Sequence, residues 1–99
     1  MDSFIKSNSI VMFSKTTCGF CMMAKSVLNR YSDDYSVMEL NKEQNGYEIQ
    51  DYLYKLTASP TVPQIFIHQK YIGGCDDIIG LHNDNELKEI IDNKLTTDE

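Results

Sequence analysis

Basic runs are missing from this 99-residue chain: nine lysines and arginines stand against fifteen acids spread over its whole length, for a formal charge of −6 at pH 7. A surface of that sign repels polyphosphate, so nucleic acid and anionic membranes are poor partners. Long apolar runs are missing too, and none approaches the ~20 residues that cross a bilayer. The opening residues, Met1-Asp2-Ser3-Phe4-Ile5-Lys6, carry neither the apolar core of a secretory signal nor an arginine-rich presequence. Cysteine is scarce and odd in number, three in all, which argues against a secreted disulfide framework and leaves a catalytic or metal role for a close pair. A reducing, cytoplasmic setting is the expectation. Repeats, low-complexity tracts and linkers are absent as well. Residues 1–99 therefore read as one domain, large enough to bury a core without disulfide staples, and the 41% hydrophobic, 24% charged composition is ordinarily globular.

Two of the cysteines do lie close together, in Thr17-Cys18-Gly19-Phe20-Cys21. This stretch follows the apolar run Ile10-Val11-Met12-Phe13 and opens a segment whose apolar residues Phe20, Ala24, Val27, Leu28 and Tyr31 recur at helical spacing. The pair thus sits at a strand-to-helix junction. With Cys18 at the cap or in the first turn, Cys21 falls on the same side of the helix and the two sulfurs can meet. A helix start also offers unpaired backbone N–H groups and the positive end of the dipole, both of which favour a thiolate. These features outline redox chemistry. The competing reading is half of a zinc site completed by Cys75 and His68 or His82, but the sequence has no second close pair. Otherwise Cys75 reads as a small buried or half-buried residue and the two histidines as surface loop residues.

In chain order, a short helix is expected over about residues 2–7, then a strand at Ile10–Phe13 buried on both faces. The cysteine helix runs to about Tyr31 and ends at Ser32-Asp33-Asp34, and a second strand spans Tyr35–Leu40. A unit of this size implies parallel strands with a right-handed crossover. Asn41–Gly46 reads as loop, after which Ile49, Tyr52, Leu53 and Leu56 give the stripe of a second long helix. Val62–Ile67 reads as a third strand with Pro63 near its start, and His68–Tyr71 as a tight hairpin into the short strand Tyr71-Ile72. Asp76–Leu81 suggests one or two helical turns. Asn83 with Glu86 reads as the cap of a last helix striped by Leu87, Ile90, Ile91 and Leu95, followed by a frayed tail at Thr96–Glu99. The expected architecture is α/β, one four-stranded mixed sheet with helices on both faces.

Four ordered blocks make a resemblance specific: Phe13-Ser14-Lys15-Thr16-Thr17-Cys18-Gly19-Phe20-Cys21, Glu48-Ile49-Gln50-Asp51-Tyr52-Leu53, Thr61-Val62-Pro63-Gln64-Ile65-Phe66 and Ile72-Gly73-Gly74-Cys75-Asp76-Asp77. The chain resembles a dithiol glutaredoxin on the thioredoxin fold, over about Phe4 to Ile91. The resemblance implies a glutathione-dependent thiol–disulfide oxidoreductase. Cys18 would be the nucleophile that reduces protein–glutathione mixed disulfides, and Cys21 would join it for protein disulfides. It implies a cis Pro63 beside the pair and a glutathione-binding set of Lys15, Phe20, Gln50, Thr61, Val62, Pro63, Cys75, Asp76 and Asp77. Lys15 and Gln50 would hold the glycine carboxylate, and Val62 the cysteinyl backbone. The γ-glutamyl end would meet the N–H groups near Cys75 and Asp76, with Asp77 facing its ammonium. The charges agree, since glutathione carries a carboxylate for Lys15 and an ammonium for an aspartate. Phe20, Met22 and Met23 read mainly as packing or rim residues.

The thiol chemistry can be weighed. An unperturbed thiol near about 8.5 is only roughly 3% ionised at pH 7. A shift of about 3.5 units raises the thiolate fraction ~30-fold, but a Brønsted slope near 0.45 lowers nucleophilicity by a similar factor. Cys18 is therefore expected to be tuned as a leaving group, with the groove supplying selectivity.

The chain departs from the resemblance at one place: Gly19-Phe20 stands between the cysteines, where many dithiol glutaredoxins have Pro-Tyr and monothiol ones have this same Gly-Phe pair. Retention of Cys21, and the lack of the insertion that monothiol proteins carry before the first cysteine, place the chain with the dithiol enzymes. Loss of that proline opens an alternative, a glutathione-ligated [2Fe-2S] carrier in which Cys18 from each of two chains and two glutathiones hold the cluster. The implied partners are glutathione and glutathionylated or disulfide-containing proteins, met as a monomer unless a cluster bridges two chains. Reduction without glutathione, as by a thioredoxin, is disfavoured by Lys15 and Gly73–Asp77.

Overall fold

The computed structural model describes residues 2–32 and 34–92. The elements follow in the order α1 (Asp2–Ser7), β1 (Ile10–Ser14), α2 (Gly19–Asn29), β2 (Ser36–Glu39), a 3-10 turn (Leu40–Lys42), α3 (Gly46–Thr57), β3 (Gln64–Ile67), β4 (Lys70–Gly73), α4 (Cys75–Asn83) and α5 (Leu87–Asp92). The sheet order is β2-β1-β3-β4, with β1 and β2 parallel and the other neighbours antiparallel. All residues of the inner strands β1 and β3 are buried, whereas β2 and β4 at the edges are largely half-buried.

Alternation along β1 explains the two layers, because successive side chains point to opposite faces. Ile10 and Met12 meet Ala24 and Leu28 of α2, Ile78 of α4 and Leu87 of α5 in one apolar cluster. Val11 and Phe13 meet Ile5 of α1 and Ile49 and Leu53 of α3 in the other. Helices on both faces and strands in the expected sequence bear out the α/β reading.

The differences lie at element ends. The cysteine helix stops at Asn29, because Tyr31 N–H already bonds Leu28 O at 2.9 Å, a tighter turn than the α-helical one. β2 is shorter than expected, and its tail, with part of the Asn41–Gly46 loop, forms the 3-10 turn. There a Cβ on Gly46 would lie 2.1 Å from Leu40 O. Leu56 falls on the expected stripe of α3 but is 50% exposed, since Ile49 and Leu53 define the inward face. Phe20 is likewise exposed, and Cys21, Ala24 and Leu28 carry the buried face of α2. Asn83 is no cap; it is the last residue of a longer α4, and the chain reverses through Asn85 at φ 63°. Leu95 and the tail lie outside the described residues, as does Asp33.

The histidines are engaged rather than loose. His68 Nε2 lies 2.6 Å from Ile91 O, and His82, on α4 instead of a loop, is hydrogen-bonded through Nδ1 to the Tyr31 hydroxyl. The hairpin turn is tight, as expected, with His68 and Gln69 both at positive φ, 50° and 71°.

Candidate functional site

β1 delivers the chain into a turn closed by Cys18 N–H on Lys15 O at 3.1 Å, and α2 begins there. Cys18 is the N-cap, in extended backbone, and its sulfur accepts the Cys21 N–H at 3.3 Å. Sulfur thus takes the place of the Ser, Thr, Asp or Asn oxygen that usually satisfies a first-turn donor. The sulfur therefore sits at the positive end of the α2 dipole. Opposite, the Cys18 thiol faces Val62 O at 3.8 Å, and the Val62–Pro63 peptide is cis, as the resemblance implied.

The two cysteines differ sharply in setting. Cys18 is half-buried and Cys21 fully buried. Burial pushes the Cys21 thiol up to about 11, with Cys18 adding to the rise and the Ser14 hydroxyl and Lys15 backbone opposing it. Cys75 is buried as expected, and burial, with Asp76 and Cys18 nearby, raises its thiol too.

The loop that faces Cys18 is held from beneath. Buried Gln64 donates to Ser59 O at 2.9 Å and Thr61 O at 3.1 Å, and accepts from the Thr57 hydroxyl at 3.1 Å. Gln50 Nε2 donates to Pro60 O at 2.9 Å. Gln64 was not singled out from sequence; its signal was an amide inside an otherwise apolar strand, which burial forces to find partners.

Two cavities open here. One of about 280 Å³ brings together Phe20, Thr61, Val62, Pro63, Cys75, Asp76 and Asp77, with Ser59, Tyr71 and Gly74 completing its wall. The other, about 370 Å³, holds Lys15, Thr17 and Gln50 with Asn41, Glu43, Gln44 and Tyr47 among its walls. The sequence-derived set is therefore divided seven to two between cavities. The α4 start resembles the α2 start in presenting first-turn N–H groups, here with Asp76 and Asp77 in the first turn. Asp77 Oδ2 accepts the Gly74 N–H at 3.0 Å, so this aspartate is already a cap. Gly73 makes room for it: φ is 135°, and a Cβ there would lie 2.1 Å from Asp77 Oδ2. Phe20, Met22 and Met23 are rim rather than packing residues, at 62%, 62% and 50% exposure. Among the described residues no three His, Cys, Asp or Glu side chains are grouped so that they could hold a metal ion.

With this geometry in view, the likenesses to known proteins are direct. A profile of the Glutaredoxin family matches residues 10–72. A glutaredoxin of Vernicia fordii is 42% identical over 83 residues, 84% of this chain and 80% of the relative. The crystal structure of a buckwheat glutaredoxin–glutathione complex superposes with a TM-score of 0.88 at 38% identity, covering 91% of this chain and 82% of that one. The holo form of glutaredoxin C1 from Populus tremula x tremuloides gives 0.88 at 37% identity, over 92% and 90% of the two chains.

Proposed function

The chain belongs to the glutaredoxin family of thiol oxidoreductases, and from that premise we propose that it reduces protein–glutathione mixed disulfides through Cys18 and protein disulfides through Cys18 with Cys21. The observation that carries the reading is the Cys18 sulfur, accessible, capped by the Cys21 N–H at 3.3 Å and facing the Val62 carbonyl at 3.8 Å. A relative of the same fold is named as a glutathione complex, which supports glutathione as the reductant.

In the single-thiol route the Cys18 thiolate attacks the glutathione sulfur of a mixed disulfide. A Cys18–glutathione disulfide forms, the substrate sulfur leaves with the electron pair, and it takes a proton to become a thiol. A second glutathione, as thiolate, then attacks the glutathione sulfur, releasing oxidised glutathione and the Cys18 thiolate. The glutathione would lie with its γ-glutamyl end over the first turn of α4, at Cys75, Asp76 and Asp77, and its cysteinyl part along Thr61, Val62 and Pro63 beside Phe20. Its glycine carboxylate would point toward Lys15. Gln50 serves this pose by holding the Pro60 carbonyl and with it the loop that carries Val62. Glutathione as reductant also suits the cytoplasm, where we place the reaction.

The test is turnover of a glutathionylated peptide coupled to glutathione reductase and NADPH. Cys18→Ser should abolish it and Cys21→Ser should largely retain it. An inactive native protein, or activity that survives Cys18→Ser, would overturn the reading.

The second reading is a glutathione-ligated [2Fe-2S] carrier, raised by Gly19 standing where many dithiol relatives have proline. Cys18 is the accessible thiol this chain could offer a cluster, whose further ligands would come from glutathione and a second chain. Bound in that way, the cluster would supply electron storage and occupy the nucleophile. A brown, dimeric sample purified anaerobically supports this carrier; a colourless active monomer supports the enzyme.

A further inference from the structure

β1 and β2 run parallel at a constant offset, from Val11 beside Ser36 to Ser14 beside Glu39, and there the backbone ladder stops. Two residues on, side chains take up the same offset. Asn41 Oδ1 accepts the Thr16 N–H at 3.0 Å, and Asn41 Nδ2 donates to the Thr16 hydroxyl at 2.6 Å. Thr16 is the second residue of the turn that Cys18 N–H closes on Lys15 O, so this clamp grips the segment between the end of β1 and the start of α2. Asn41 itself stands in the 3-10 turn, whose first residue, Leu40, is 2% exposed and belongs to the core cluster of Phe13, Ile49 and Leu53. The clamp is thus anchored at its base.

Asn41 and Thr16 are both at the surface, where a single hydrogen bond would leave either residue free to swing. One planar amide that accepts from the N–H and donates to the hydroxyl of the same residue fixes that residue's orientation instead. Threonine's branched side chain adds stiffness at χ1. Lys15 and Asn41 also line the same cavity of about 370 Å³.

We propose that Asn41 is a positioning residue for glutathione recognition: its two bonds to Thr16 hold the Lys15–Cys18 turn so that the Lys15 ammonium meets the glycine carboxylate of a glutathionyl group bound at Cys18. The inference rests on the pose given above, in which that carboxylate points toward Lys15. It concerns the choice of substrate rather than the sulfur chemistry. An ammonium on a flexible four-carbon stem reaches a carboxylate only as well as its backbone is placed. Lys15 opens the turn and Cys18 closes it, so fixing Thr16 between them fixes the charge relative to the sulfur. Cys18 keeps its own bond to the Cys21 N–H when the clamp is cut. The glycine end of the ligand therefore feels the clamp, and the thiol does not.

The experiment follows release of the peptide thiol, with glutathione as reductant, from two mixed disulfides. One is a peptide joined to glutathione; the other is the same peptide joined to glutathione whose glycine carboxylate is a primary amide. Native protein is compared with Asn41→Ala, Thr16→Val, Thr16→Ser, Lys15→Ala and Asn41→Ala with Lys15→Ala. Asn41→Ala should lower kcat/KM for the first substrate about three- to tenfold, as expected for one or two hydrogen bonds, and chiefly through KM. For the amide, whose turnover also reports a folded protein, the loss should stay under about twofold, because no carboxylate is there for Lys15 to meet. Lys15→Ala should remove the same preference, and adding Asn41→Ala to it should bring no further loss. Thr16→Val, which deletes the hydroxyl and keeps the shape, should fall part of the way, and Thr16→Ser should restore most of what valine loses. Equal losses on the two substrates, losses that add in the double variant, or a serine no better than valine would overturn the role of Asn41. Lys15→Ala with the native preference intact overturns the pose and the inference with it. Native protein that releases peptide from neither substrate instead brings down the oxidoreductase reading itself.

Discussion

Cys18 and Cys21 lie one helical turn apart and inhabit different media. Cys18 stands at the outer end of a helix, half in water, with a backbone N–H on its sulfur and a carbonyl across from it. Cys21 is sealed under the same turn with no exposure, and its thiol is held up at about 11 by burial first and by Cys18 second. A spacing of three residues is enough to bring two sulfurs into contact and still give one of them a solvent and the other a core. The lesson is that a cysteine pair need not share reactivity to share a reaction.

The largest expected effect tests that contrast directly. At pH 8 a thiol titrating near 11 is ~0.1% ionised against ~9% for one at the ordinary 9, so native Cys21 should be alkylated ~100-fold more slowly than in unfolded protein. Cys18 should label in the native state. Peptide mass mapping after brief iodoacetamide exposure reads both, and equal labelling of the two native thiols would erase the contrast.

Next is the coupling of that thiol to stability. Cys21 titrates higher folded than unfolded, so the native state holds the extra proton between the two values. Stability is fully present below pH 9 and falls as pH rises to about 11, by about 3 kcal/mol in total. Denaturant midpoints at pH 8 and pH 10.5 under reducing conditions measure the slope, and Cys21→Ala should flatten it. The buried Cys75 contributes in the same direction.

A smaller effect lies on the exposed side. Gly73→Ala forces a Cβ toward the Asp77 carboxylate at a φ of 135°, at a cost of about 2 kcal/mol, and it displaces the Gly74 cap. Its Tm should fall, and the Michaelis constant for glutathione should rise with less change in kcat; an unchanged constant would detach Asp77 from substrate. Smallest is Ala58→Gly, at the left-handed C-cap of α3 with φ 65°, which should gain about 0.5–1 kcal/mol. That gain firms the loop behind Val62 without touching Cys21.

How much of this was written in the sequence depends on what kind of fact it is. The strands, the helix at Cys18 and the division into two layers follow from the period of apolar residues, and local chemistry sets that period. Phe20 and Leu56 misled because spacing tells which residues share a face but not how wide a face the neighbouring layer covers. Asn83 misled because α4 runs on to include it, its end held by Asp84 N–H on Gly80 O at 3.0 Å. Ser14, Glu39 and Lys25 are apart in the chain; strand register sets Ser14 opposite Glu39, which in turn takes the Lys25 ammonium at 2.6 Å. The seven-to-two division of the candidate site residues between two cavities is of the same kind.

The loop that faces Cys18 is stitched by Gln50, Thr57 and Gln64 to α3 and β3, while Cys18 and the α4 start belong to the layer on the other side of the sheet. The cleft is consequently a seam between the two halves of the sandwich. Any ligand that seats there acts as a rivet, gripping both plates at once, and at a hundred times its dissociation constant it would add about 2.7 kcal/mol to the resistance of the molecule to heat.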